Sequence, residues 1–302
     1  MGTSYPAPAA QPGRIGQLGA VRVREDLLFT DDKQRESGSL RKRAEKLVSR
    51  LEAPLSKLLQ PDEAVLYIAP IKAPASFFEQ WTLGWYIYRV TRSVFVFTNH
   101  RIFHFLLHSN DTWRRMVRSV SYGDISEARS KGWLNPVLLL NYKNGEKEKY
   151  WGIERRDARK MRSLLADLMP AAASRLTARA GIVSLCPDCS AELTAGVYTC
   201  ARCGLRFKDE QTMVRRALLI PGGGYFYTGY GLLGVGAFAV EAVFTVFLIV
   251  ALLELAGVLA PAPGEERAGI VLVAFPAGIL AVEKLLTIHH CRRFVRGFIP
   301  AQ

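Results

Sequence analysis

The stretch "CPDCSAELTAGVYTCARCG", Cys186 to Gly204, is followed from Leu232 by "LLGVGAFAVEAVFTVFLIVALLELAGVLA". A C-x-x-C turn lets both sulfurs face one point. Two such turns, Cys186 with Cys189 and Cys200 with Cys203, supply the tetrahedral four-sulfur shell that zinc accepts. Pro187 stiffens the first turn, and Gly204 follows the second, where a left-handed residue is commonly needed. With sulfur at all four positions no coordination place stays open for catalysis, so the expected metal is structural. Iron shares this spacing and stays open as the occupant. Disulfides are disfavoured in a cytoplasmic segment, and a redox C-x-x-C would expect a βαβ setting that the flanks lack.

The cysteine pattern resembles the zinc-ribbon family, which implies two short hairpins clamping a structural zinc over 185–208. The apolar run beside it is longer than a soluble core helix needs. Spans are expected over 232–260 and 268–288, since about 20 apolar residues cross the hydrocarbon, with the polar turn "PAPGEER" between them. Lys208, Arg215 and Arg216 stand before the first span, and Arg292, Arg293 and Arg296 follow the second in a basic tail, 289–302. The positive-inside bias then puts both ends in the cytoplasm and the turn outside, a transmembrane helical hairpin. High Ala and Arg usage points to a bacterial inner membrane as its location.

Between ribbon and spans, 209–231 reads as an interfacial Gly-rich segment. Gly229, Gly231 and Gly234 spell G-x-G-x-x-G, but a dinucleotide site needs a preceding strand and an amphipathic helix, and membrane follows here. Pro221 and Gly222 to Gly224 are expected to break a short helix, with Tyr225, Phe226, Tyr227 and Tyr230 at headgroup level. The stretch is similar to the Pro-Gly-rich lead-in of a family of small bacterial double-spanning membrane modules. Of Glu241, Glu254 and Glu283, only Glu241 can lie deep, and an ionisable group at membrane depth raises a transporter or channel-subunit alternative. Cys291, in "HHCRR" with His289 and His290, is expected in an interfacial cluster rather than a metal site.

The net charge is +13, and the part from Ala217 onward is neutral, five acids against five bases, so the positive charge lies in front of it. A basic front on an apolar tail suits an anionic surface, lipid or nucleic acid. The ribbon opposes the nucleic-acid alternative: Asp188 and Glu192 face Arg202 as the one cation between Cys186 and Cys203.

Residues 1–30 carry no secretory signal and read as a disordered Pro/Gly/Ala leader. Over 31–60, Leu40, Ala44, Leu47, Val48, Leu51, Leu55 and Leu58 recur at helical spacing among Lys and Arg, with Pro54 expected to break or kink the helix. Such a helix can lie on a membrane or cover its own domain, and the second is the expectation taken. From Asp62 the period becomes that of strands: "AVLYIAP", "SVFVFT", "RIFHFLLH", "RMVRSVSYG", "ISEARSK", "VLLLNYK" and "KEKYWGI", with Asn144-Gly145 as a hairpin turn. "RRDARKMRSLLADLMPAA" then reads as a helix, and 171–184 as a linker.

"FVFTNHRIFHF", with Thr98 and Arg101 at its turn, and "VSYGDISEARSKGW", with Tyr122, Asp124 and Ile125, resemble bacterial pleckstrin-homology-like and GRAM-like domains over 61–170. The resemblance implies a β-barrel closed by a C-terminal helix. The whole would be a multidomain α+β membrane protein: PH-like barrel, zinc ribbon, transmembrane hairpin. The departure is a long insertion, "SFFEQWTLGWYIYRVTR". In lipid-binding members this loop often meets the membrane, which implies Phe77, Phe78, Trp81 and Trp85 entering the interface and Arg89 and Arg92 meeting phosphates; the same residues can equally fill the barrel mouth.

No nucleophile elbow, Walker loop or framed carboxylate pair occurs, and His100, His104 and His108, recurring at intervals of four on one strand face, are expected to lack an acidic partner. The expected function is therefore non-enzymatic: a membrane-anchored scaffold whose partners are a protein or an anionic lipid surface, with homo-oligomers possible through the hairpin.

Overall fold

The computed structural model describes residues 14–173, 181–260 and 269–301. The chain divides into two compact units, Met1–Thr194 and Ala195–Gln302.

The N-terminal unit opens with β1 (Ile15–Leu18) and β2 (Val21–Arg24), an antiparallel hairpin, followed by α1 (Glu25–Leu28) and α2 (Gly38–Leu58). Residues 15–28 are thus structured, against the leader expected over 1–30; residues 1–13 lie outside the described residues. Val21 and Val23 alternate inward on β2, which docks parallel on the next strand at Val23↔Val65. Pro54 sits within α2 instead of ending it. Its missing N–H costs one hydrogen bond near the last turn, while its ring and Leu55 are buried.

Next come β3 (Val65–Lys72), α3 (Phe77–Leu83), a one-turn 3₁₀ segment (Gly84–Tyr86), α4 (Ile87–Val90), β4 (Arg92–Thr98), β5 (Arg101–Leu107) and β6 (Trp113–Ser121). Then follow β7 (Ile125–Lys131), β8 (Val137–Tyr142), β9 (Lys147–Tyr150), α5 (Arg155–Ala173), β10 (Val183–Leu185) and β11 (Glu192–Leu193). Asn144-Gly145 turns β8 into β9, with Gly145 at φ 87°.

The large sheet runs β1-β2-β3-β4-β5-β6-β10-β11, and β7-β8-β9 form a separate sheet. The closed barrel of the expectation is not formed: β10 takes the outer edge of β6, pairing Leu185 with Val117, and an isolated bridge Lys72↔Trp151 is the β3 contact with the smaller sheet's end. β4 shows why the central sheet is apolar throughout. Side chains alternate between faces, so Val94 and Val96 join Leu51 and Leu55 of α2 in one core, while Phe95 and Phe97 join Leu140, Tyr150, Met161 and Leu165 in another. The basic amphipathic helix therefore covers its own domain.

The C-terminal unit holds α6 (Glu210–Leu219), α7 (Gly223–Thr228), α8 (Gly231–Leu255) and α9 (Ile270–Arg296). The last two are long and apolar enough to cross a membrane, with mean hydropathy 2.5 and 1.9, and little of their surface is covered by protein. α9 continues through 289–296, so the basic residues placed in a tail stand on the helix itself.

Candidate metal centre

Each cysteine pair is shaped by the same backbone turn. Cys186 N–H donates to Ala191 O (2.7 Å) and Ser190 N–H donates back to Cys186 O (3.0 Å). In the second, Cys200 N–H donates to Leu205 O (2.8 Å) and Gly204 N–H to Cys200 O (2.9 Å). Ser190 and Gly204 close these turns at φ 60° and 74°. Cys186 and Cys200 are buried, Cys189 is half-buried and Cys203 exposed.

The Sγ atoms of Cys186, Cys189, Cys200 and Cys203 all lie within 4.8 Å of one another. A tetrahedron with metal–sulfur bonds of about 2.3 Å has edges of about 3.8 Å, so the donor set fits an ion such as zinc. Cys291, the fifth cysteine, is apart from this cluster and buried beside Thr228 (3.7 Å). The first knuckle is not a free-standing module: β10 carries it as an added strand of the large sheet, with Leu185 in the α2-side core.

The aromatic insertion is helical. Ser76 caps α3, accepting Glu79 N–H (3.1 Å), while the Glu79 carboxylate accepts Ser76 N–H (2.7 Å). This capping box holds Glu79 inside, 4% exposed, and turns Phe77 (85%) and Trp81 (75%) outward; Trp85 (68%) of the 3₁₀ turn, Phe78 and Tyr88 are also exposed. Arg89 lies over the Tyr86 ring, whereas Arg92 is engaged by Asp111 (2.6 Å). At the foot of this excursion a cleft of about 320 Å³ is lined by Arg43, Lys46, Lys72 and Arg92, with Asp111 the only acid among its lining residues. Burial, then the Arg92 charge, lowers the Lys72 pKa.

The turn residues that carry the family resemblance do structural work. Thr98 donates to Glu63 (2.6 Å), which is fully buried and gripped twice by Arg101 (3.1 and 2.9 Å), and Tyr122 donates to Thr98 O (2.7 Å). Of the three histidines, His100 pairs with Asp62 (3.2 Å). His104 is 1% exposed, packed edge-to-face against Phe95 and Tyr150, and neither ring nitrogen has a hydrogen-bond partner. Burial, then the nearby Arg118 charge, pushes its pKa down to about 3. Arg118 pairs with Glu148 (2.8 Å), to which Tyr142 and Tyr150 donate.

In the C-terminal unit Glu241 is 2% exposed, accepts Gly222 N–H (2.9 Å) and pairs with Lys284. Sequence reasoning singled out Glu241 but not Lys284, whose place in an apolar helix was the available signal. Tyr225 and Tyr230 face inward, on His290 (2.8 Å) and Phe294, rather than outward as a belt.

No family model matches the chain, and no curated protein matches it. Among solved structures, the C-terminal domain of an unknown protein from Leishmania infantum aligns over 43% of this chain and 98% of its own, at 10% identity and a TM-score of 0.27, a likeness too weak to assign a fold.

Proposed function

We propose that this chain is a non-enzymatic membrane-anchored binding protein. In this reading α8 and α9 span the bilayer, the four cysteines hold a structural zinc, and the N-terminal unit is a PH-like domain left open at one seam. That unit meets an anionic membrane surface through the α3–α4 excursion.

The observation that carries the reading is the excursion's build: a capped, internally bonded helix that nevertheless exposes Phe77 and Trp81, followed by a 3₁₀ turn that exposes Trp85. Aromatic side chains with polar edges favour the bilayer interface, and cations beside them favour anionic headgroups. The cleft beneath it is lined by Arg43, Lys46, Lys72 and Arg92, of which Arg43 is held by Asp157 and Arg92 by Asp111, leaving Lys46 and Lys72 as the cations it offers a headgroup. Glu241 is already held by Gly222 and Lys284, which favours a structural role over transport.

The test is hydrogen exchange on the whole chain in nanodiscs. Amides of 77–90 are expected to gain protection in phosphatidylglycerol discs over phosphatidylcholine discs and to lose it in high salt. Equal exchange in both discs would overturn the membrane-surface role and turn the search toward a protein docked on the excursion.

A further inference from the structure

The broken helix before the spans has an unusual set of partners. α6 ends at Leu219, and the chain turns through Ile220, Pro221 and Gly222, which is left-handed at φ 63°, into α7. The backbone groups freed at this break are met by side chains from the two long helices. Gly222 N–H donates to Glu241 of α8 (2.9 Å), and Lys284 of α9 donates to Ala217 O (2.6 Å). Glu241 and Lys284 also pair with each other.

These partners lie well inside the helices. Glu241 stands about 15 Å along the axis from Gly231, and Lys284 about 12 Å deeper than Arg292, at about 1.5 Å per residue. The inner face of the break is closely packed: a Cβ on Gly222 would fall 2.2 Å from Gly234 O, and one on Gly224 2.8 Å from Thr287 Cγ2. Its outer face is bare hydrocarbon, with Leu218 56%, Leu219 81% and Ile220 49% exposed, and Leu232, Val235 and Phe238 of α8 are likewise exposed. Arg215 and Arg216 precede this tip by one turn, and the Arg216 guanidinium lies over the Tyr227 ring (5.0 Å).

We propose that α6 and α7 form a re-entrant hairpin whose tip, Leu218 to Ile220, is embedded in the acyl chains of the leaflet on the Arg292–Arg296 side. Glu241 and Lys284 are the positioning pair that makes its broken backbone tolerable there. The occupant of the exposed tip is lipid. Irregular backbone survives at membrane depth only where protein groups satisfy it, and Glu241 and Lys284 are spent on that satisfaction, while Glu283 beside Lys284 accepts instead from Thr287 (2.7 Å). This rests on the membrane-spanning reading of α8 and α9.

The test places a nitroxide on p-acetylphenylalanine at position 219, 247 or 197 of the whole chain, leaving the cysteines untouched. Accessibility to oxygen and to a water-soluble nickel chelate is then measured in phosphatidylcholine–phosphatidylglycerol vesicles. Phe247 is an exposed span position and Val197 an exposed position between the cysteine pairs. The expected oxygen-to-nickel ratio at 219 matches that at 247 and exceeds that at 197 by about tenfold, as oxygen partitions into hydrocarbon and the chelate does not. A water-like ratio at 219 with a lipid-like one at 247 overturns the re-entrant hairpin and leaves the spans standing. Low accessibility to both reagents at 219 also overturns it, by showing protein on the tip. A water-like ratio at 247 overturns the spans themselves.

Discussion

Ser190 and Gly204 occupy the same place in two copies of one turn: each stands four residues after a cysteine, is left-handed, and donates its N–H to that cysteine's carbonyl. Only one of them is glycine. A side chain in the left-handed region costs about 1 kcal/mol, so Ser190→Gly is expected to be neutral or to stabilise by up to about 1 kcal/mol. Gly204→Val, with a β-branched side chain at φ 74°, is expected to destabilise by about 1–2 kcal/mol. Thermal unfolding in the presence of zinc, with competition titration of metal affinity, checks both.

Metal content itself separates the cysteines. Cys200→Ser is expected to bring bound zinc per chain close to zero, and Cys291→Ser to leave it unchanged, since Cys291 lies outside the cluster. Elemental analysis of the purified variants reads this directly. Cobalt in place of zinc is expected to show the thiolate charge-transfer spectrum of a four-sulfur tetrahedral site.

His104 gives the N-terminal unit a defined acid sensitivity. Its folded pKa, about 3, lies below the ordinary 6.5, so on falling pH the unfolded chain takes up a proton that the folded one refuses. This contribution is complete above about pH 6.5 and is lost as pH falls toward 3. For Glu148, burial raises the pKa, but the Arg118 charge and the Tyr150 and Tyr142 hydroxyls bring it net below its ordinary 4.5, so its own loss begins only below that value. Between pH 6.5 and 4.5 the wild type is expected to lose about 2.3 kcal/mol more than His104→Phe. Denaturant titrations of the two proteins across that window measure the difference, in which metal release common to both cancels.

The Glu241–Lys284 pair should reveal itself through non-additivity. Removing one partner leaves the other charge buried, at a cost of about 3–5 kcal/mol. The double variant Glu241→Leu with Lys284→Leu is expected to destabilise by less than the sum of the two single variants, because it leaves no unpaired buried charge although it still removes the partners of Gly222 N–H and Ala217 O. Unfolding of the reconstituted protein in denaturing detergent gives the coupling.

Much of this architecture is legible from residue patterns where the pattern is local. β7 spans the seven residues "ISEARSK" despite a register irregularity between Ile125 and Glu127, and α5 covers "RRDARKMRSLLADLMPAA", where helical spacing is unbroken. The four cysteines converge as their spacing implies. What escaped was either short or distant. "VRVR" at β2 is too brief to outweigh its Pro/Gly surroundings, and the pairing of β10 with β6 joins residues some 65 positions apart with no local signature. Ser76-x-x-Glu79 is a capping box in plain view, masked by an aromatic run that also suits a loop. The barrel stays open for a reason no single segment carries, since the strand that covers β6 belongs to the hairpin that carries Cys186 and Cys189.

The membrane-surface role rests most directly on the contact of two side chains with lipid. The chain has five tryptophans, none in α8 or α9, so their emission reports on the rest of the molecule. Whole protein in nanodiscs of brominated phosphatidylglycerol is expected to show quenched emission relative to unbrominated discs, and Trp81→Phe with Trp85→Phe to abolish most of the quenching. Emission unchanged by bromination in the wild type would contradict the account.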